Sequence, residues 1–91
     1  MRESTVEEYF DSQVRLSGGD VRKVEWIGRR GAPDKLAGWP NGNHGFVELK
    51  RPRGQVEAHQ LREHTAMRRM GLPVAIVSTF AEVDEYVRRM K

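Results

Sequence analysis

The dipeptide Asn41-Gly42 limits what this chain can become more than any other feature. It sits inside Pro40-Asn41-Gly42-Asn43, and Asn-Gly accepts the positive φ angles that a tight reversal between strands demands. Lys35-Leu36-Ala37-Gly38-Trp39 precedes the turn as a short strand, and residues 45–50 follow it as a longer one. The two are expected to pair as a hairpin. Residues 21–27 alternate, with Val24 and Trp26 on one face and Lys23 and Glu25 on the other, which predicts a strand ahead of the hairpin. Between them, Gly28-Arg29-Arg30-Gly31-Ala32-Pro33 reads as a loop with two hinge glycines, and Pro33 cannot donate to a ladder.

Helical spacing brackets this strand-rich centre. Ser4-x-x-Glu7 spells a capping box, followed by Val6, Tyr9, Phe10, Gln13 and Val14 at helical intervals, and Gly18-Gly19 stops the helix. Residues 56–70 predict a second helix, with Gln60, Leu61, His64 and Met67 on one side and Gly71 as the stop. The apolar, β-branched run at 73–78 predicts a strand buried on both faces. Thr79-x-x-Glu82 caps a last helix whose stripe is Phe80, Val83, Tyr86, Val87 and Met90. The order is helix, three strands, helix, strand, helix. It describes a small α/β fold on a mixed sheet, with a parallel crossover between the third and fourth strands.

Ninety-one residues suit a single domain over 1–91 with a modest core. The absence of cysteine excludes disulfides, thiolate metal sites and cysteine nucleophiles. The longest apolar run, Leu72 to Val77, is far short of the ~20 residues of a membrane span. Met1-Arg2-Glu3-Ser4 opens onto a polar helical pattern, so no signal peptide is expected. Charge is unevenly spread. Between Arg22 and Arg53 eight bases face three acids, a net +5, whereas the rest of the chain is mildly acidic. A basic centre of this kind suits a polyanion, although such runs are also common on solvated faces.

Three charged groups stand out by position. Glu48 and Lys50 are two apart on the third strand and share a face, while Val47 and Leu49 point the other way. Asp34 follows Pro33 at the mouth of the second strand, where the hairpin sets it beside Glu48. Charges on a strand otherwise made of Phe46, Val47 and Leu49 are costly without partners. Two readings are open on these residues alone. The carboxylates on neighbouring strands suit Mg²⁺, with Lys50 beside its bound water; alternatively, Glu48 and Lys50 form a salt bridge on a solvated face.

Other features carry less. His59 and His64 are five apart, which does not make the i, i+4 pair of a zinc site. They are expected at the surface or an interface, with His64 a candidate phosphate contact and His44 at the hairpin edge. Trp26 reads as strand core, and Trp39 as core or partner surface. Gly28-Arg29-Arg30-Gly31 lacks the Gly-Lys-Ser/Thr ending of a phosphate loop, so no nucleotide cofactor is expected, and no Gly-x-Ser-x-Gly supports a serine hydrolase.

Gly31-Ala32-Pro33-Asp34, then Phe46-Val47-Glu48-Leu49-Lys50, then Gln60 on the following helix resembles the PD-(D/E)xK nuclease superfamily. Within it the chain is most similar to the virus-type replication-repair nuclease (VRR-NUC) family, including its small stand-alone phage members. Gly71-Leu72-Pro73-Val74 also fits, and the resemblance runs over nearly the whole chain. It implies a restriction-endonuclease-like αβββαβα fold, a mixed sheet flanked by helices, and a metal-dependent DNA endonuclease. By position, Asp34 and Glu48 are metal ligands, the Leu49 carbonyl a further ligand, and Lys50 the catalytic lysine. Gln60 is the helix glutamine that supports the site. The superfamily's first-helix glutamate, a further catalytic acid of the metal site, falls on Glu7, with a metal-bound water as its contact; Glu7 flanks the apolar stripe with Glu3, Glu3 precedes the expected cap, and Glu7 also serves the capping box.

The resemblance further implies a Mg²⁺ cofactor that Mn²⁺ can replace, a bacterial or phage-infected cytoplasm, and branched DNA as substrate. Arg29, Arg30, Lys35, Arg51 and Arg53 are expected to hold phosphates. Such contacts position DNA without reading sequence. Stand-alone members resemble junction resolvases, so a homodimer cutting Holliday junctions is the expected form, with the last helix or Trp39 and the hairpin as its apolar interface. The alternatives are a flap-, nick- or end-directed or general nuclease, and a non-catalytic DNA-binding module.

Overall fold

Apolar residues four apart, Val6, Phe10 and Val14, form the stripe that fixes the first helix, and all three are fully buried. The computed structural model describes residues 2–91, apart from the side chains of Glu3 and Ser4, so the Ser4 hydroxyl of the expected capping box lies outside the described residues. Helix α1 spans Glu3–Leu16 with Arg2 at its N-cap, two residues ahead of the Ser4 start. It stops at Gly18, whose φ of +93° only glycine adopts freely.

The sheet consists of β1 (Asp20–Lys23), β2 (Lys35–Gly38), β3 (His44–Leu49) and β4 (Val74–Val77), in spatial order β1-β2-β3-β4. The first two pairings are antiparallel and β3–β4 is parallel, with α2 (Ala58–Arg69) in the connection between them. Helix α3 (Phe80–Met90) closes the chain, its start capped by the Thr79 hydroxyl, which accepts the Glu82 N–H at 3.1 Å.

Alternation along the strands divides the sheet into two unlike faces. Val21, Ala37, Val47, Leu49 and Val77 point to one side and form the core with α1 and with Val83, Tyr86 and Val87 of α3. Phe10 meets Tyr86 at a ring separation of 5.9 Å, and Tyr9 stacks on Phe80 at 4.2 Å while donating to Asp84. Burying a side chain such as Phe10 contributes about 2–3 kcal/mol, so this face holds most of the fold's apolar stabilisation. Trp39 belongs to the same core, its indole N–H on the Ser17 hydroxyl. Gly19 lets that corner close, since a Cβ there would lie 2.7 Å from the Gly38 carbonyl.

Four expectations need correction. The first strand ends at Lys23, because beyond Val24, whose N–H still reaches the Asp34 carbonyl, the chain leaves the ladder for the loop. Trp26 is therefore not strand core; it lies on the opposite side of the sheet, 6.1 Å from the Phe46 ring. In α2 the inward residues are Glu63, His64 and Met67, whereas Leu61 is exposed. Finally, β4 is not buried on both faces: it lies at the edge of the sheet, and Ile76 is 39% exposed.

Candidate active site

The hairpin register pairs Lys35 with Val47, which brings Asp34 alongside Glu48. The Asp34 Oδ2 accepts the Leu49 N–H at 2.8 Å, and the Lys50 N–H donates to the Val77 carbonyl at 3.0 Å. Asp34, Glu48, Leu49 and Lys50 thus meet at one end of the sheet, where β2 begins and β3 ends.

Glu48 faces away from the apolar core toward α2 and is only 1% exposed. A carboxylate is costly there without close partners. Gln60 Nε2 donates to its Oε2 at 2.8 Å, with Lys50 Nζ at 3.8 Å. His64 Nε2 lies 3.8 Å from the other oxygen. Gln60 has a second task, since its Oε1 accepts the Glu57 N–H at 2.9 Å and caps α2. One amide therefore ties the start of the helix to the carboxylate.

Helix α2 also holds the segment leading to Asp34. Glu63, nearly buried, accepts the Trp26 indole N–H at 2.7 Å on one oxygen. Its other oxygen pairs with the Arg29 guanidinium at 2.7 and 2.9 Å. The Arg29 hydrogen bond is the main reason that the Glu63 pKa is lowered; burial opposes the shift, and Trp26 adds to it. Gly31 makes the contact possible, because a Cβ at its φ of +92° would stand 2.8 Å from the His59 carbonyl. Glu63 was not legible as a site residue, although it lies three positions after Gln60 on the same helix face.

The remaining site candidates distribute as follows. Lys35 is not a surface base: it alternates inward with Ala37 and Trp39 and is buried. Its Nζ lies 2.8 Å from Glu7 and 3.2 Å from Asp11 on α1. Burial works against the ammonium, but the two carboxylates outweigh it and raise its pKa. Lys35 is thereby withdrawn from phosphate contact, and Glu7 faces Lys35. Arg30 is exposed, with a nitrogen 3.5 Å from His59 Nδ1. Arg51 and Arg53 are exposed on a turn closed by the Gly54 N–H on the Arg51 carbonyl, with Arg53 in the left-handed region at φ +64°. His64 is not a surface residue but is fully buried; neither ring nitrogen has a hydrogen-bond partner among the described residues, and burial lowers its pKa.

The oxygen donors fit a hard cation. Among the described residues no three His, Asp or Glu side chains converge as a metal cage. Two carboxylates, Asp34 and Glu48, with the Leu49 carbonyl next to Glu48 in the chain, match the oxygen donors that a hard divalent cation takes alongside water.

No protein-family model matches the chain. A curated phage protein, "Putative nuclease p44" of Acyrthosiphon pisum secondary endosymbiont phage 1, is 39% identical over 79 residues, which are 87% of this chain and 85% of that protein. A solved structure described as a VRR_NUC domain superposes with a TM-score of 0.87 at 38% identity, over 98% of this chain and 97% of its own. With the αβββαβα order, the mixed sheet and this extent of similarity, the chain belongs to the virus-type replication-repair nuclease (VRR_NUC) family.

Proposed function

We propose that this chain is a single-domain, divalent-metal-dependent deoxyribonuclease that hydrolyses phosphodiesters in branched DNA and works as a homodimer of the Holliday-junction-resolving kind. The observation that carries this reading is the meeting of Asp34, Glu48 and Lys50 at one sheet end, with buried Glu48 held by Gln60. The similar proteins, the phage protein named "Putative nuclease p44" and a VRR_NUC domain, point the same way.

Asp34, Glu48 and the Leu49 carbonyl would hold Mg²⁺ or Mn²⁺. A divalent ion supplies a water of lowered pKa and neutralises charge on the attacked phosphate. Lys50 stands beside Glu48 and would orient the attacking water and stabilise the negative charge that grows on the phosphate oxygens. Gln60 fixes the Glu48 rotamer, and Glu7 acts through Lys35, the residue next to Asp34. Exposed Arg30, Arg51 and Arg53, with the free edge of Arg29, supply phosphate contacts and a steep salt dependence. A bacterial or phage-infected cytoplasm fits such a substrate.

The test is cleavage of a labelled four-way junction beside a matched linear duplex, with Mg²⁺ or EDTA, for wild type and Lys50→Ala. Paired nicks confined to the junction, dependent on metal and lost in the variant, are expected. Cutting of both substrates would reduce the reading to a general nuclease. Binding without cutting would leave a DNA-binding module.

A further inference from the structure

Ile27 is 99% exposed, the most exposed large apolar side chain among the described residues. A single exposed apolar residue needs no explanation on an ordinary surface. This one stands on a loop that the fold holds still. Its neighbour Trp26 and nearby Arg29 are bound to the two oxygens of the same buried carboxylate, Glu63. Gly28, at φ +74°, turns the tip, and Gly31 lies against the α2 backbone with no room for a side chain. The loop is pinned on both sides of Ile27, and only the tip projects.

We infer that Ile27 is a wedge that inserts between adjacent bases of distorted DNA, resting on the reading of the chain as a DNA nuclease. Apolar side chains of this size unstack and kink base steps where proteins bend DNA. A β-branched side chain suits that task because its χ1 is stiff, so little rotamer freedom is lost on insertion. Chemistry around the tip favours nucleic acid over an apolar protein partner. Arg29 and Arg30 follow within three residues and are exposed, and the same segment ends at Asp34. A wedge placed there also accounts for selectivity without base-reading contacts, because unstacking costs least at a junction, nick or mismatch.

The experiment uses a four-way junction carrying 2-aminopurine at the branch point, with Lys50→Ala protein in Mg²⁺ so that the DNA stays intact. The protein carrying Ile27 should raise the fluorescence on binding. Adding Ile27→Ala or Ile27→Ser should cut that rise at least about threefold, Ile27→Leu should retain it, and Leu16→Ala, at another exposed apolar position, should leave it unaltered. An equal rise with all variants, or an equal loss with Leu16→Ala, overturns the wedge while leaving the nuclease reading intact. A change of sedimentation coefficient in Ile27→Ala without DNA assigns the residue to a contact between copies and also overturns it. If the wild-type protein neither binds nor cuts any DNA, both readings fall.

Discussion

Gln60 is where stability and the site can be pulled apart, because its two ends do different work. The Oε1 accepts the Glu57 N–H at 2.9 Å, and the Nε2 donates to Glu48 at 2.8 Å. Gln60→Ala removes both bonds. A hydrogen bond to a charged group is worth about 1.5–3 kcal/mol and a helix cap about 1 kcal/mol, so the expected loss is about 2–4 kcal/mol. Gln60→Glu keeps an acceptor for the Glu57 N–H but sets a carboxylate against Glu48. Two unit charges about 4 Å apart repel by about 4 kcal/mol at an effective dielectric constant near 20. The pair relieves this by sharing a proton, which raises a carboxyl pKa in the folded state above its unfolded value. Folded protein then binds more protons than unfolded, so stability is present at low pH and is lost as pH rises through the raised value. Urea unfolding at pH 5 and pH 8, with and without Mg²⁺, reads each consequence. Gln60→Ala should be weakened at both pH values, whereas Gln60→Glu should be near wild type at pH 5 and about 2–4 kcal/mol weaker at pH 8. Excess Mg²⁺ should restore much of the second loss, since cation binding to the folded state stabilises it. If Gln60→Glu tracked wild type at both pH values, the amide would not be what holds Glu48.

Two further predictions concern the opposite face of the sheet. Burial pushes the Tyr86 phenol up to about 12, with Arg89 opposing, and its hydroxyl has no hydrogen-bond partner among the described residues. Unfolded chains release this proton near pH 10 and folded ones near 12, so stability should fall by up to about 3 kcal/mol across that window. Tyr86→Phe should flatten the alkaline limb and add about 1 kcal/mol at neutral pH, read by thermal unfolding. Lys35→Met leaves Glu7 and Asp11 facing each other, and should cost about 1–3 kcal/mol after solvent screening on the half-exposed Glu7. The Lys35 ion pairs contribute below the lysine's ordinary pKa and are lost as pH rises through its raised value, so wild type and Lys35→Met should converge in denaturation midpoint in strong alkali.

What the sequence disclosed follows from the range over which each signal acts. Asn41-Gly42 fixes a hairpin register locally, and a period of two then dictates that Glu48 and Lys50 share a face and that Asp34 sits opposite. Helix α3 was equally legible, because its cap and its stripe lie within a few residues of each other. The misreadings arose where a partner distant in sequence decides the outcome. Among its basic neighbours Lys35 reads as a surface base, although alternation with Ala37 already aims it inward; only the arrival of Glu7 and Asp11 from α1 makes a buried ammonium tolerable. His64 and Glu63 were missed as interior residues because α2 covers the polar side of the sheet, where an apolar stripe is the wrong template. The apolar run of β4 predicted burial on both faces, yet nothing local reports that, among the described residues, β4 lies at the sheet edge with Ile76 left partly exposed.

The division of the sheet into two faces explains how so small a chain accommodates a buried carboxylate. Nearly all the apolar packing lies with α1 and α3, so the face under α2 can carry polar groups without weakening the main core. Helix α2 then acts as a strut rather than a core element. Gln60 ties it to Glu48 on β3, and Glu63, one turn on, ties it to the loop that delivers Asp34. Glu48 lies on β3 and Asp34 in the loop just ahead of β2, so their separation depends on whatever braces those segments against each other. Hydrogen bonds from a common helix brace them with directional geometry that apolar contacts do not supply. Glu63 therefore has to be polar and buried, and Gly31 has to lack a side chain, for the same reason: each sets the distance between the loop and the helix. Substitutions in α2 should for that reason disturb the paired carboxylates more than substitutions of equal size in α3, although α3 packs against far more of the core.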